Sequence, residues 1–387
     1  MLYNKIQLLI DYINNKDESV NVDELSLNQL ISLCKNHSLL PILYRACIRY
    51  NIPLNEKQNS YLKREYDVAL MREATQECEK ESILNALSEN KIKCMPLKGS
   101  IIKYLYPSPE LRTMSDIDIL FENKKTKEVK KILESLGYKC DKIGGTDDEY
   151  KKPPFMNVEM HRIMVDGNFE LIADYYSNIW DVIKPTKDNE YIYEMSKEDF
   201  YIHMVAHVAR HYAVGGIGIR FVFDEWLYLN EYENELNFDY INSEFEKINL
   251  LKFANNFKEL SVKWFKGLET TELEESMTKY IFNSCTHGTI QNEQSVRIVL
   301  GDKGVKNFKK KKFGYIFRLI FPSFKYMCNR NHILKKVPIL LPYFYIQRLL
   351  VSIFKKQKLA ISSIKGLDSF NEEYSKEIKK LHDESGF

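Results

Sequence analysis

The alternation of apolar and polar positions divides the chain into a helical opening, a short α/β stretch and a long helical remainder. Leu27, Leu30, Ile31 and Cys34 recur at helical spacing, and residues 61–89 form a long, polar-rich periodic run. The period then shortens. Residues 91–97 read as a short strand with Pro96 near its end, Gly99-Ser100 open a helix through about Leu105, and Pro107 and Pro109 stop it. A second strand spans 116–121, and an amphipathic helix follows over 124–136 (Val129, Ile132, Leu133, Leu136), closed by Gly137. Residues 156–165 and 169–175 read as a hairpin turning at Asp166-Gly167-Asn168. Beyond Pro185 the pattern is helical to the end, with a break at the Gly-Gly-Ile-Gly of residues 215–218.

This layout predicts an α+β fold, a small mixed-sheet core flanked by N-terminal and C-terminal helical regions. The expected divisions are a helical region at 1–90, the mixed-sheet core at 91–190, a helical lobe at 191–300 and a basic, aromatic-rich helical region at 301–387. A chain of 387 residues has room for two or three lobes, and 44% hydrophobic with 28% charged residues is ordinary globular composition. The seven cysteines form no C-x-x-C, which argues against a zinc ribbon or a disulfide framework and for reduced thiols.

Asp11 inside the first apolar stretch, with no small-residue cleavage site, argues against a signal peptide. The apolar run at 337–354 is interrupted by Pro338, Pro342 and Arg348, which argues against a spanning helix. The expected location is cytoplasmic.

Charge refines that expectation. The net charge is only +2, yet residues 303–367 hold sixteen Lys and Arg and no Asp or Glu. Lys309–Lys312, Lys335-Lys336 and Lys355-Lys356 alternate with Phe313, Tyr315, Phe317, Ile320 and Phe321. Such a mixture fits an anionic membrane surface, which would make the chain peripheral at the inner membrane. Nucleic acid is a weaker fit. The plain alternative is a helical lobe whose aromatics form core and whose lysines are solvated.

The chemistry concentrates between residues 96 and 120. Side chains two apart on a strand share a face, so Asp116 and Asp118 point together while Ile117 and Ile119 enter the core. Two such charges repel, and a divalent cation resolves the conflict. Gly99-Ser100, at a strand-to-helix turn, supplies a place for phosphate, with Lys98 and Arg112 as flanking clamps.

Pro-Leu-Lys-Gly-Ser at 96–100 followed by Leu-Arg-Thr-Met-Ser-Asp-Ile-Asp-Ile-Leu at 111–120 resembles the nucleotidyltransferase superfamily that includes DNA polymerase beta and the aminoglycoside nucleotidyltransferases. More narrowly it is similar to the bacterial branch of uncharacterised nucleotidyltransferases, often found in surface-polysaccharide gene clusters. Three further stretches resemble that branch: His-Ser-Leu-Leu-Pro-Ile-Leu-Tyr at 37–44, Tyr-Leu-Tyr-Pro at 104–107 and Gly-Gly-Ile-Gly-Ile-Arg at 215–220. The fifteen residues between Ser100 and Asp116 exceed the usual gap of the superfamily. The resemblance implies Mg²⁺ or Mn²⁺ and an NTP substrate, with Asp116 and Asp118 as metal ligands. It also implies a third carboxylate on a neighbouring strand, as metal ligand or as base. Glu159 fits best, in Val-Glu-Met-His at 158–161, with Glu170 and Asp174 as competitors. His161 shares the face of Glu159.

His203, His207 and His211 fall on one helix face. With Asp224 they make a conceivable metal site, but a structural role or a pocket wall is the stronger reading, and we favour the wall. Arg220 after the glycine break is a candidate phosphate contact. The leading functional expectation is transfer of a nucleoside monophosphate from an NTP to a hydroxyl or phosphate, on a small molecule or sugar. The competing expectations are modification of tRNA or protein, as in toxins of this fold, and a non-catalytic nucleotide-binding scaffold.

Overall fold

The computed structural model describes residues 1–20, 22–165, 169–286, 288–289, 292–294, 296, 308–355 and 372–387. The contact pattern separates two units. The first comprises Met1–Arg210, Gly218–Phe282 and Gly386, and the second His211–Ile217, Asn283–Ser385 and Phe387.

The first unit opens with helices α1 (Gln7–Ile13), α2 (Glu24–Asn36), α3 (Leu40–Arg49) and the long α4 (Glu56–Glu89). Asp23 caps α2 by accepting from the Ser26 amide, and Asn55 with Gln58 forms a reciprocal capping box on α4. A seven-stranded mixed sheet follows, ordered β3-β4-β5-β2-β1-β7-β6. Its strands are β1 (Cys94–Pro96), β2 (Ile117–Phe121), β3 (Lys139–Lys142), β4 (Asp147–Lys152), β5 (Met156–His161), β6 (Lys184–Thr186) and β7 (Asn189–Glu194). The intervening helices are α5 (Gly99–Ile102), α6 (Thr126–Ser135), α7 (Glu170–Tyr175) and α8 (Ile179–Val182). After the sheet come α9 (Lys197–Val214), α10 (Ile219–Tyr232), α11 (Phe238–Lys247), α12 (Leu251–Lys266) and α13 (Glu272–Asn283).

One face of the sheet is core. Ile117, Ile119 and Phe121 of β2, Val158 and Met160 of β5 and Cys94 of β1 pack with Ile83, Leu84 and Leu87 of α4 and Val129 and Leu133 of α6. Each such fully buried side chain contributes about 1.5–3 kcal/mol, so this face fixes which side chains must point the other way. Those are the polar ones, Asp118 and Glu159.

The α+β architecture matches the expectation from the sequence, and the break at 215–218 falls between α9 and α10. The hairpin expected at 156–165 and 169–175 does not form. Residues 170–175 are helical, because Ile172 and Tyr176, four apart, are both buried on one helix face. The antiparallel partner of β5 is instead β4, aligned from Asp147↔His161 to Lys152↔Met156. The turn at Asp166-Gly167-Asn168 lies outside the described residues. The chain beyond Pro185 is not helical throughout, since β6 and β7 pair antiparallel and β7 adds to β1 through Cys94↔Ile192. These strands carry polar residues on exposed positions and so lack the apolar alternation that marked β2.

In the second unit the described helices are Phe308–Ile320, Phe324–Arg330, Leu341–Lys355 and Glu372–Ser385, and Met327, Cys328 and Leu334 form a small core. Of the basic clusters, Lys356 lies outside the described residues. No helix among the described residues is long and apolar enough to cross a membrane.

Candidate active site

The parallel register of β2 and β5 places Asp118 directly opposite Glu159. Both point away from the core face, and His161 follows two residues later on the same side. Oxygen and nitrogen atoms of Asp118, Glu159 and His161 all lie within 4.8 Å of one another, the one such group of His, Cys, Asp and Glu among the described residues. Asp118 Oδ1 receives Lys98 Nζ at 2.9 Å and His161 Nε2 at 2.6 Å, and His161 Nε2 is 3.7 Å from Glu159 Oε2. Asp116 precedes β2 and is half-buried.

The two strand carboxylates are driven apart electrostatically. Burial alone would push the Asp118 carboxyl up, but the charges and hydrogen bonds of Lys98 and His161 outweigh it and hold Asp118 below the usual carboxylate range. Burial, reinforced by the negative charges of Asp116 and Asp118, pushes Glu159 up to about 7, with His161 pulling the other way. A cluster in which one carboxylate resists ionisation because of its neighbours is one that a cation would relax. The donor set fits a divalent cation, with carboxylate oxygens from Asp118 and Glu159 and the imidazole of His161 beside them.

Lys98 reaches Asp118 from a strained turn. Its backbone sits at φ 50° and ψ −117°, a conformation that only surrounding structure can impose on a residue with a side chain. The turn is held by the Leu97 amide on Asp118 O (3.0 Å) and by the Ser100 and Ile101 amides on Leu97 O and Lys98 O. Those two amides are therefore used within the turn. What remains on Ser100 is its hydroxyl, buried and without a hydrogen-bond partner. At Gly99 a Cβ would lie 2.5 Å from Arg112 Nη1 and 2.6 Å from Met114 Sδ, so the glycine is required by close approach.

Arg112 is buried in a fork with Asp224, Nε to Oδ1 at 2.9 Å and Nη2 to Oδ2 at 2.7 Å, while Tyr106 Oη donates to the same Oδ1 at 2.7 Å. The fork holds the arginine with its remaining Nη1 over Gly99. Arg220 Nη1 donates to Thr113 O at 2.6 Å, in the loop leading to Asp116, and its buried Nε has no hydrogen-bond partner. Burial, helped by the charge of Arg112, brings the Arg220 guanidinium down to about 10.

The structure thus gathers Asp118 and Glu159 with Lys98, and puts Asp116 close enough for its charge to act on Glu159. Glu170 and Asp174, the competitors of Glu159, are exposed on α7 and outside the cluster. The three-histidine metal site does not form: His203 is buried, His211 is exposed, and Asp224 is spent on Arg112 and Tyr106. His203 is nevertheless part of the surroundings of the carboxylates. It is 2% exposed with both ring nitrogens unpartnered, and burial together with the positive charge of Lys98 holds it down to about 3. Its helical spacing with His207 was the only trace in the sequence. His161, placed by the sequence on the face of Glu159, supplies the third donor of the group, whereas the anchoring of Arg112 by Asp224 carries no signal in the sequence.

No curated protein and no solved structure matches the chain. The model of a family described as uncharacterised nucleotidyltransferase matches residues 23–266, a span that takes in β1 to β7, the carboxylate pair and the α10 residues Arg220 and Asp224 that hold Thr113 and Arg112. With more than half of its length so matched and the paired strand carboxylates in place, the chain belongs to the uncharacterised nucleotidyltransferase family.

Proposed function

We propose that the protein transfers a nucleoside monophosphate from an NTP to a hydroxyl or phosphate of a small molecule or sugar, using Mg²⁺ or Mn²⁺ held by Asp116, Asp118 and Glu159. The observation that carries this reading is the register pair Asp118↔Glu159 facing away from the core, in a chain of this family. When bound, the cation polarises the phosphoryl oxygens and offsets the charge that develops on them. The chain's own residues position the rest. The Ser100 hydroxyl and the guanidinium of Arg220 have unsatisfied donors suited to the triphosphate. Arg112, fixed by Asp224, presents its Nη1 over the glycine turn.

The acceptor oxygen forms a bond to the α-phosphorus as the bond to the bridging oxygen breaks. Pyrophosphate leaves with the electron pair, and the acceptor proton passes to a carboxylate at the site, for which Glu159 is the candidate. Catalysis of this kind rests on positioning and charge stabilisation.

The test is a screen of the four NTPs with Mg²⁺ or Mn²⁺, reading pyrophosphate release against sugar and small-molecule acceptors. Asp116→Ala and Asp118→Ala are each expected to lower turnover at least about a hundredfold with the fold intact, the scale on which single transition-state contacts act. Wild-type turnover in either variant would sink the reading. A labelled RNA or protein band from lysate would redirect it to a macromolecular acceptor, and the absence of any cation-dependent NTP binding by calorimetry would leave a scaffold.

A further inference from the structure

We propose that residues 333–350 form a docking surface for an anionic lipid bilayer. Ile333, Val337, Ile339, Tyr343, Ile346 and Leu350 recur every two to four residues and are all exposed, Ile339 by 84% and Tyr343 and Ile346 by 59% each. The opposite side of this run is already packed: Leu334 is buried with Met327 and Cys328, and Leu340, Leu341, Phe344 and Tyr345 lie against them. Tyr345 Oη also donates to Pro322 O at 2.7 Å. The helix Leu341–Lys355 therefore has its inner face anchored and a second apolar face turned to water. A contiguous apolar stripe of this kind marks a surface that something covers.

Charge identifies the cover. All sixteen titratable Lys, Arg, Asp and Glu side chains of residues 303–367 are basic, and Lys310, Arg318, Lys335 and Lys336 are exposed. A second copy of the same surface would set like charges against each other. A single-stranded nucleic acid would satisfy the cations and stack on aromatic rings, but it would leave Ile339, Ile346 and Leu350 in water. An anionic bilayer meets both demands, with headgroup phosphates taking the lysines, the upper hydrocarbon taking the aliphatics and Tyr343 at the interfacial level that suits its ring and hydroxyl. Insertion across the bilayer is not the mode. No described helix is long and apolar enough, and Pro338 and Pro342 stand at the start of the run.

The surface shares no residue with the carboxylate site, so its test is independent of transfer activity. The full-length protein would be sedimented with vesicles of phosphatidylcholine alone or mixed with phosphatidylglycerol, at low and high salt. Co-sedimentation is expected with the mixed vesicles only, weakened by salt. The double variant I339E/I346E should lose at least about tenfold in partitioning, because both apolar contacts are removed. Its circular dichroism and Tm should stay unchanged, since both side chains are exposed. Failure of the wild type to bind, equal binding to neutral vesicles, or wild-type binding by the double variant would each overturn the proposal. So would a lipid-free dimer abolished by I339E/I346E, or a single-stranded RNA that displaces the vesicles and still binds the double variant.

Discussion

Lys98 Nζ lies 2.9 Å from Asp118 Oδ1, the oxygen that His161 Nε2 also meets at 2.6 Å, so two nitrogens from different elements converge on one carboxylate atom. Asp118 is thereby balanced by the chain's own donors, and a cation held there as proposed would have to compete with Lys98. Lys98→Met should cost about 1–3 kcal/mol in the presence of chelator, the scale for losing a hydrogen bond to a charged partner that stays buried. The same variant should gain more Tm on addition of MgCl₂ than the wild type does, because the competing charge is gone. Equal Mg²⁺-induced shifts in the two proteins would show that Lys98 and the cation do not share Asp118.

His203 makes a different kind of claim. Its ring is buried against the edge of Tyr176 (centroids 5.6 Å apart), has no hydrogen-bond partner and feels the charges of Lys98, Asp118 and His161. A buried imidazole with both nitrogens unsatisfied is costly to the fold unless a ligand completes it. His203→Phe should accordingly leave stability unchanged or raise it by about 1 kcal/mol, while pyrophosphate release falls about tenfold or more through KM for NTP or acceptor. Unaltered kinetics would reduce the histidine to packing.

Glu225 supplies a pH dependence away from the carboxylate cluster. It is fully buried, accepts from Tyr201 Oη at 2.6 Å, and burial pushes its carboxyl up to about 8, with Lys258 too weak to reverse this. The folded protein therefore holds a proton on Glu225 that the unfolded chain releases near its ordinary carboxylate value. Stability from this group is complete below about pH 4.5 and is lost as pH rises toward 8, at about 1.4 kcal/mol for each pH unit. Glu225→Gln should abolish that decline, so that urea titrations at pH 5 and pH 8 differ less for the variant than for the wild type. A parallel decline in both proteins would place the titration elsewhere.

The part of the site written in local pattern was legible, and the part written in long-range partnership was not. Asp118 and Glu159 each sit between apolar neighbours on a period of two, so strand pairing had to bring them to one face. Arg112 offered no such clue, because the residue that fixes it, Asp224, lies 112 positions away on α10. The cationic residues near Gly99 could be named, but which anion each would choose depended on packing that no spacing encodes. The same holds for the strands. β2 and β5 show themselves by buried Ile, Val and Met, whereas β3 and β4 read Lys-Cys-Asp-Lys and Asp-Asp-Glu-Tyr-Lys-Lys and are strands only because β5 offers its edge.

The glycine turn offers the sharpest test of how the arginine fork and the proposed phosphate side of the site are coupled. An alanine at position 99 would put its methyl 2.5 Å from Arg112 Nη1 and 2.6 Å from Met114 Sδ. Neither neighbour is fully free to yield: Arg112 is forked to Asp224, and the Met114 carbonyl accepts from Gln76 Nε2 at 3.3 Å. The methionine side chain is the softer of the two, since its thioether can swing while its backbone stays held. Gly99→Ala should thus destabilise by about 1–3 kcal/mol, as overpacking does, and displace Ser100 from its buried position. Combining it with Met114→Ala should recover part of that loss, a non-additivity expected only for groups in contact. Additive losses in the double variant would show that the turn and the loop leading to Asp116 are not in contact, and the coupling between the two sides of the site would have to be sought through Lys98 and Asp118 instead.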